Sequence, residues 1–340
     1  HKREATKKPN VFHERLFPIV RKPPLVHSIK VSKLHTLCAR EYGNPNGYPV
    51  VVLHGGPGLG CTDFDYRFFD PDFFRIILLD QRGAGASTPH AELRNNTTKH
   101  LLKDLETVQK KLEIKQWLVF GGSWGSTLAL LYAEKHSKKV SGLILRGTWL
   151  GRAKDIRWYY QDGLKGAGRF YPRQWKAFKD YIPKKERKNL IKAYYRRVTS
   201  KDRAVVERAA KSLVRFAFGI ATLDPKQVEI GGAESLKNAI ALARINFHYL
   251  TNKLFMEENQ ILKNINRIRK HNIPTWIIHG RFDMVCTRDN ADELCKHLPN
   301  AKKIIVSDAG HSKSEPGISK YLVAATEEFK DLVRNESQAT

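Results

Sequence analysis

A serine hydroxyl becomes a useful nucleophile only when a histidine takes its proton, and that histidine needs a carboxylate to fix its tautomer and stabilise its cation. Three residues of this chain meet the requirement in the order serine, aspartate, histidine: Ser123, Asp283 and His311. Ser123 is the centre of Gly121-Gly122-Ser123-Trp124-Gly125, a G-x-S-x-G pattern between the strand-like Leu118-Val119-Phe120 and a helix-like stretch over 126–134. Such a serine must project from a sharp strand-to-helix turn, where small neighbours relieve the crowding. The start of the helix supplies backbone N–H groups, so the Trp124 amide is the expected first donor to an oxyanion. The second is expected from His54-Gly55-Gly56-Pro57-Gly58, at the end of an earlier strand: the Gly56 amide or else that of Gly55, since Pro57 has no N–H. Asp283 follows the strand-like run ending at Gly280, and His311 stands after the next, in Asp308-Ala309-Gly310-His311-Ser312.

Those residues meet only if strand ends line up along one sheet edge. Short apolar runs at Val31 to Glu41, Tyr48 to His54, Phe74 to Asp80, Trp117 to Gly121, Val140 to Arg146, Thr275 to Gly280 and Ala301 to Ser307 read as strands. The first two are separated by Gly43-Asn44-Pro45-Asn46-Gly47, which reads as a hairpin-like entry. Helical periodicity over 98–112 and 127–136 alternates with the later strands, which predicts a mostly parallel sheet with helices on its faces. The alternation stops after Leu150. From there to about Lys263 the chain is helical, aromatic and basic, and we expect a cap over 151–263 inserted into a core formed by 25–150 and 264–340.

With 340 residues and 41% hydrophobic content, the chain can bury one large α/β core. No apolar run reaches membrane-spanning length, so contact with a membrane is not expected. Cys38, Cys61, Cys286 and Cys295 form neither a C-x-x-C pair nor a metal-ligand spacing, which points to thiols in a reducing compartment and to no metal. The charge is unusual: 60 Lys plus Arg against 34 Asp plus Glu leaves +26, enough to attract RNA or another polyanion. The basic stretch 1–24 reads as an arm, and the cap adds Lys184, Lys185, Arg187, Lys188, Arg196 and Arg197, interleaved with Tyr194, Tyr195 and Phe216. Phosphate neutralisation with base stacking would use that mixture; a solvated basic face is the plainer alternative. A first residue that is His1 rather than Met fits a removed organellar presequence, mitochondrial for example, or simple trimming of a cytoplasmic chain.

Several segments resemble the motifs of the proline iminopeptidases: His54 to Gly58, Asp80-Gln81-Arg82-Gly83, Pro89-His90-Ala91, Asn95-Asn96-Thr97-Thr98, Phe120 to Leu128, Leu145-Arg146-Gly147, and Ala309 to Ser312 through Glu315-Pro316-Gly317. The resemblance implies an α/β-hydrolase fold, a helical cap over the site and release of an N-terminal proline, with no metal or organic cofactor. It also implies a substrate pocket that includes Gly55, Pro57, Phe216, Ala217 and Asn246. The family's cap glutamates, which would bind a free amine, are replaced in matching segments by the Phe216-Ala217 pair and by Asn246. Losing one charged hydrogen bond to a desolvated ammonium costs about 2 to 3 kcal/mol, so losing two predicts weak recognition of N-terminal proline. The expectation is therefore a serine hydrolase of this family acting on a peptide or a small amide or ester. The alternative is a family member recruited as an RNA-binding or ribosome-associated subunit.

Overall fold

The computed structural model describes residues 16–340. Most of the expected basic arm, including Lys2, Arg3, Lys7, Lys8 and Arg15, lies outside them. Within 16–24, Leu16 is buried, and Phe17 exchanges hydrogen bonds with Arg67: its N–H donates to the Arg67 carbonyl and its own carbonyl accepts from the Arg67 guanidinium.

Eight strands form one sheet: β1 (Leu25–Lys30), β2 (Thr36–Gly43), β3 (Tyr48–Leu53), β4 (Phe74–Leu79), β5 (Trp117–Gly122), β6 (Val140–Arg146), β7 (Thr275–Gly280) and β8 (Lys302–Val306). Their spatial order is β1-β2-β4-β3-β5-β6-β7-β8; the β1–β2 and β2–β4 pairs are antiparallel and the remaining pairs parallel. The expected hairpin is corrected here. The turn over 43–47 joins β2 to β3, but β4 lies between them, and the hairpin of the sheet is β1 with β2. Residues 31–35 form its turn, and β1 is an edge strand whose mixed exposure hides its strand character in the sequence.

The parallel strands are apolar on both faces because both are covered. Val51, Leu53, Ile77, Leu79, Val119 and Leu145 pack on one side with helices α1 (Thr98–Lys111) and α2 (Trp124–Lys135). Val50, Val52, Ile76, Leu78, Leu118 and Phe120 pack on the other with Phe68, Phe69 and Phe329, the last from the C-terminal helix over 316–338. Strand order reverses at β3, with β4 on one side and β5 on the other, so the loops after β3 and β5 open at the switch point where α/β sheets place their sites.

Between β6 and β7 the chain forms α3 (Ala153–Tyr160), α4 (Pro172–Asp180), α5 (Leu190–Val198), α6 (Arg203–Gly219), α7 (Gly232–Thr251), α8 (Gln260–Asn264) and α9 (Asn266–Arg269), with no strand among them. Rings hold this layer together: Phe178 stacks on Tyr194 at 4.4 Å and on Phe216 at 4.5 Å, and Tyr194 stacks on Phe247 at 5.0 Å. Motif residues of the sheet tie it down. The Asn96 side chain donates to the Arg82 carbonyl and accepts from the Tyr249 hydroxyl, while Arg82 forms a buried two-point ion pair with Asp104 at 2.6 and 2.7 Å. No helix of the described residues is long and apolar enough to cross a membrane.

Two strained features give tests of this packing. Glu134 on α2 is buried with one carboxyl oxygen unpartnered, and burial pushes its pKa from 4.5 up to about 9, against a weaker pull from Arg267. The proton is thus held more tightly in the folded state, so the group's contribution to stability is complete below pH 4.5 and is lost as pH rises toward 9. Glu134→Gln is expected to match the parent near pH 4 and to exceed it by a few kcal/mol, roughly, near pH 8 in denaturant unfolding; equal stability at both pH values would contradict the assignment. Lys253, Leu254 and Phe255 run consecutively at φ of 50°, 59° and 51°, a left-handed turn without glycine. Lys253 is exposed, so Lys253→Gly is expected to stabilise the protein by about 1 kcal/mol in the same measurement.

Candidate active site

The turn between β5 and α2 holds Ser123 at φ 55° and ψ −124°, a conformation that non-glycine residues avoid. Close backbone packing enforces it. A Cβ on Gly121 would collide with the Gly125 carbonyl, and a Cβ on Gly125 would collide with the Leu53 carbonyl at the end of β3. Glycine at these two positions lets the turn close on β3, which brings Ser123 beside Gly55: a Cβ on Gly55 would stand 3.4 Å from that of Ser123.

Gln81 ties the surrounding loops together. Its N–H donates to His54 Nε2 and its side-chain amide to the His54 carbonyl, while its Oε1 accepts from the Trp124 indole, each at 3.0 Å. The backbone N–H groups of Gly55, Gly56 and Trp124 donate to no acceptor among the described residues, so they remain available to an oxyanion beside Ser123.

His311 Nδ1 and Asp283 Oδ2 are 2.7 Å apart. The other oxygen of Asp283 accepts from the Val285 and Cys286 N–H groups at 3.0 and 2.9 Å. Burial alone would raise the Asp283 pKa, but the facing His311 and these amides hold it below the usual carboxylate value, so the ionised form persists behind the imidazole. Gly147, at φ 54°, makes room for the pair: a Cβ there would stand 3.0 Å from the His311 ring. The His311 and Ser312 N–H groups both donate to the Ala221 carbonyl, at 2.9 and 2.7 Å, so the linker between α6 and α7 braces the histidine loop. The Ser123 hydroxyl rests 3.7 Å from Cys286 Sγ, whose thiol burial keeps protonated, and has not turned to His311.

A cavity of about 180 Å³ opens over Ser123. It is lined by Gly55, Gly56, Ser123 and His311, by Ala217 and Asn246 from the helical layer, and by Trp149, Tyr160, Leu213 and Leu242. Asn246 is neutral and shares hydrogen bonds with the Tyr160 hydroxyl. Neither Ala217 nor Asn246 brings a charge to the cavity wall. Two expected pocket residues are placed elsewhere: Pro57 is not among the lining residues, and Phe216 is buried in the aromatic stack. Asp65, Arg146, Cys286 and Lys313 line the cavity although sequence reasoning gave them no role; only the Leu145-Arg146-Gly147 motif hinted at one of them. Among the described residues, no three His, Cys, Asp or Glu side chains converge to hold a metal ion.

The six cap cations do not form one free patch. Arg187 pairs with Asp180, and Arg196 and Arg197 share Glu186, while Lys184, Lys185 and Lys188 are exposed. Tyr194 and Phe216 are buried, so neither is available to stack on a base.

The alpha/beta hydrolase fold family model matches residues 48–316. A proline iminopeptidase of Arabidopsis thaliana is 47% identical over 308 residues, covering 90% of this chain and 80% of its own length. Another, from Xylella fastidiosa, is 46% identical over 316 residues, covering 92% and 99%. Among solved structures, a meta-cleavage product hydrolase from Pseudomonas fluorescens superposes with a TM-score of 0.53 at 19% identity, covering 90% of this chain and 98% of its own. An esterase from Exiguobacterium antarcticum does so with 0.52 at 18%, covering 92% and 100%; both likenesses concern the fold. With its sheet, its strained serine turn and these relatives together, the chain belongs to the proline iminopeptidase family of α/β hydrolases.

Proposed function

We propose that the protein is a serine hydrolase that cleaves small amides or esters through an acyl-enzyme on Ser123, and that N-terminal proline is a poor substrate. The observation that carries the reading is the strained Ser123 beside the 2.7 Å His311–Asp283 pair. With substrate bound, the serine hydroxyl turns from Cys286 to His311, which accepts its proton as oxygen attacks the carbonyl carbon. The oxyanion takes hydrogen bonds from the Trp124 amide and from that of Gly56 or Gly55. Asp283 stabilises the imidazolium, which protonates the leaving group. Water, deprotonated by His311, then releases the acyl group and restores the serine.

Ala217 and Asn246 argue for the substrate preference, because neither offers a charge to a free ammonium. Turnover of 4-nitrophenyl acetate is expected from the parent and not from Ser123→Ala or His311→Ala. Proline 4-nitroanilide should be a much poorer substrate. Introducing Ala217→Glu together with Asn246→Glu is expected to raise kcat/KM for the prolyl substrate by roughly tenfold or more, mainly through KM. Efficient prolyl cleavage by the parent would contradict the preference, and absence of all turnover by the folded protein would contradict the hydrolase.

The net charge of +26 and the exposed Lys184, Lys185 and Lys188 support a second reading, polyanion binding by the same chain. It predicts RNA affinity that falls steeply with salt and weakens when these three lysines are replaced by glutamine; salt-independent or absent binding would dismiss it.

A further inference from the structure

The cavity over Ser123 has two chemically different ends. Under the helical layer it is walled by Trp149, Tyr160, Leu213, Ala217 and Leu242. Beside the histidine loop it is ionic, lined by Asp65, Arg146 and Lys313. At that end, hydrogen-bond capacity is unequally used. Asp65 is almost fully buried, and both of its oxygens are engaged: one accepts from the Thr62 N–H and the other from the Lys313 ammonium. The Asp283 oxygens are likewise taken by His311, Val285 and Cys286.

The donors, by contrast, have capacity to spare. Lys313 uses one of its three N–H groups on Asp65 and remains partly exposed, at 27% of its side chain. Arg146 donates from Nη1 to the His311 carbonyl at 2.7 Å, but its Nε and Nη2 bond to no acceptor, and it pairs with no carboxylate among the described residues. Burial lowers its pKa only against the pull of Asp283 and Asp65, which favours keeping the charge. A ligand group suited to this end supplies acceptors and negative charge without needing donors, which describes a carboxylate.

We propose that the substrate carries a carboxylate that seats against Lys313 and Arg146, while an apolar acyl group lies under the helical layer. The substrate class is then an N-acyl amino acid or a closely similar acid. Water supplies the hydroxyl to the acyl carbon and a proton to the nitrogen, giving a carboxylic acid and a free amino acid. This inference rests on Ser123 being the nucleophile. It makes Lys313, which follows His311 by two positions, a specificity-determining residue.

The test compares N-hexanoylglycine with N-hexanoylglycinamide, which differ only in the charged group, by calorimetric binding to the full-length Ser123→Ala protein. The acid is expected to bind roughly tenfold more tightly than the amide. Because Lys313→Met alone would strand the buried Asp65 carboxylate, the informative variant adds Asp65→Asn to Lys313→Met, which leaves the net charge of the cavity unchanged. It should lose most of the preference for the acid while still binding the amide. Equal affinities, tighter amide binding, no measurable acid binding, or a preference that survives the double substitution would overturn the proposal. Ester turnover by the parent protein reads the nucleophile separately: its failure removes the hydrolase reading, whereas a missing acid preference alongside intact turnover removes only the carboxylate.

Discussion

The contact on which the site depends is between backbones, where Gly125 at the start of α2 meets the Leu53 carbonyl at the end of β3. With no Cβ at Gly125 or Gly121, the turn between β5 and α2 closes tightly enough to hold Ser123 in its strained conformation. It also comes near enough to the loop after β3 for Gly55 to face it. Strain of this kind costs about 1 to 3 kcal/mol and persists only where the surroundings leave no alternative. Here the surroundings are an α2 helix buried along nearly its whole length and two central strands covered on both faces. Stability invested in the sheet is thus spent locally on aiming one hydroxyl.

Electrostatics around that hydroxyl follow from the same burial. Asp283 stays ionised because His311 and two amides face it, whereas at the Cys286 thiol beside Ser123 burial and the Asp283 charge outweigh the Ser123 hydroxyl and Arg146, and the thiol keeps its proton. In the proposed mechanism His311, backed by the ionised Asp283, is therefore the base that takes the serine's proton. The helical layer reaches this chemistry through its backbone as well as its side chains, since the Ala221 carbonyl receives both N–H groups of the histidine loop.

Much of this was legible in the sequence, and the exceptions have physical causes. The serine, aspartate and histidine could be nominated because each follows a strand-sized apolar run, and buried parallel strands announce themselves by continuous apolar residues such as Val50 to Leu53. The edge strand β1 carries no such signal because most of it faces water, and the turn over 43–47 looked like a hairpin because sequence adjacency cannot reveal that β4 inserts between β2 and β3. Phe216 was expected at the pocket because the Phe216-Ala217 pair matches the resembled family's motif, but successive residues on a helix point in different directions, and the ring packs into the aromatic stack. The pairing of Asp65 with Lys313 was not legible at all, since 248 positions separate the partners.

The most direct measurement is the intact mass of the folded protein after exposure to a fluorophosphonate, which reacts with an activated serine without presupposing a substrate. The account predicts one adduct, located on Ser123, in the parent protein and none in Ser123→Ala or His311→Ala. An unmodified parent, or an adduct that forms as fast without His311, would contradict the claim that His311 and Asp283 activate this serine.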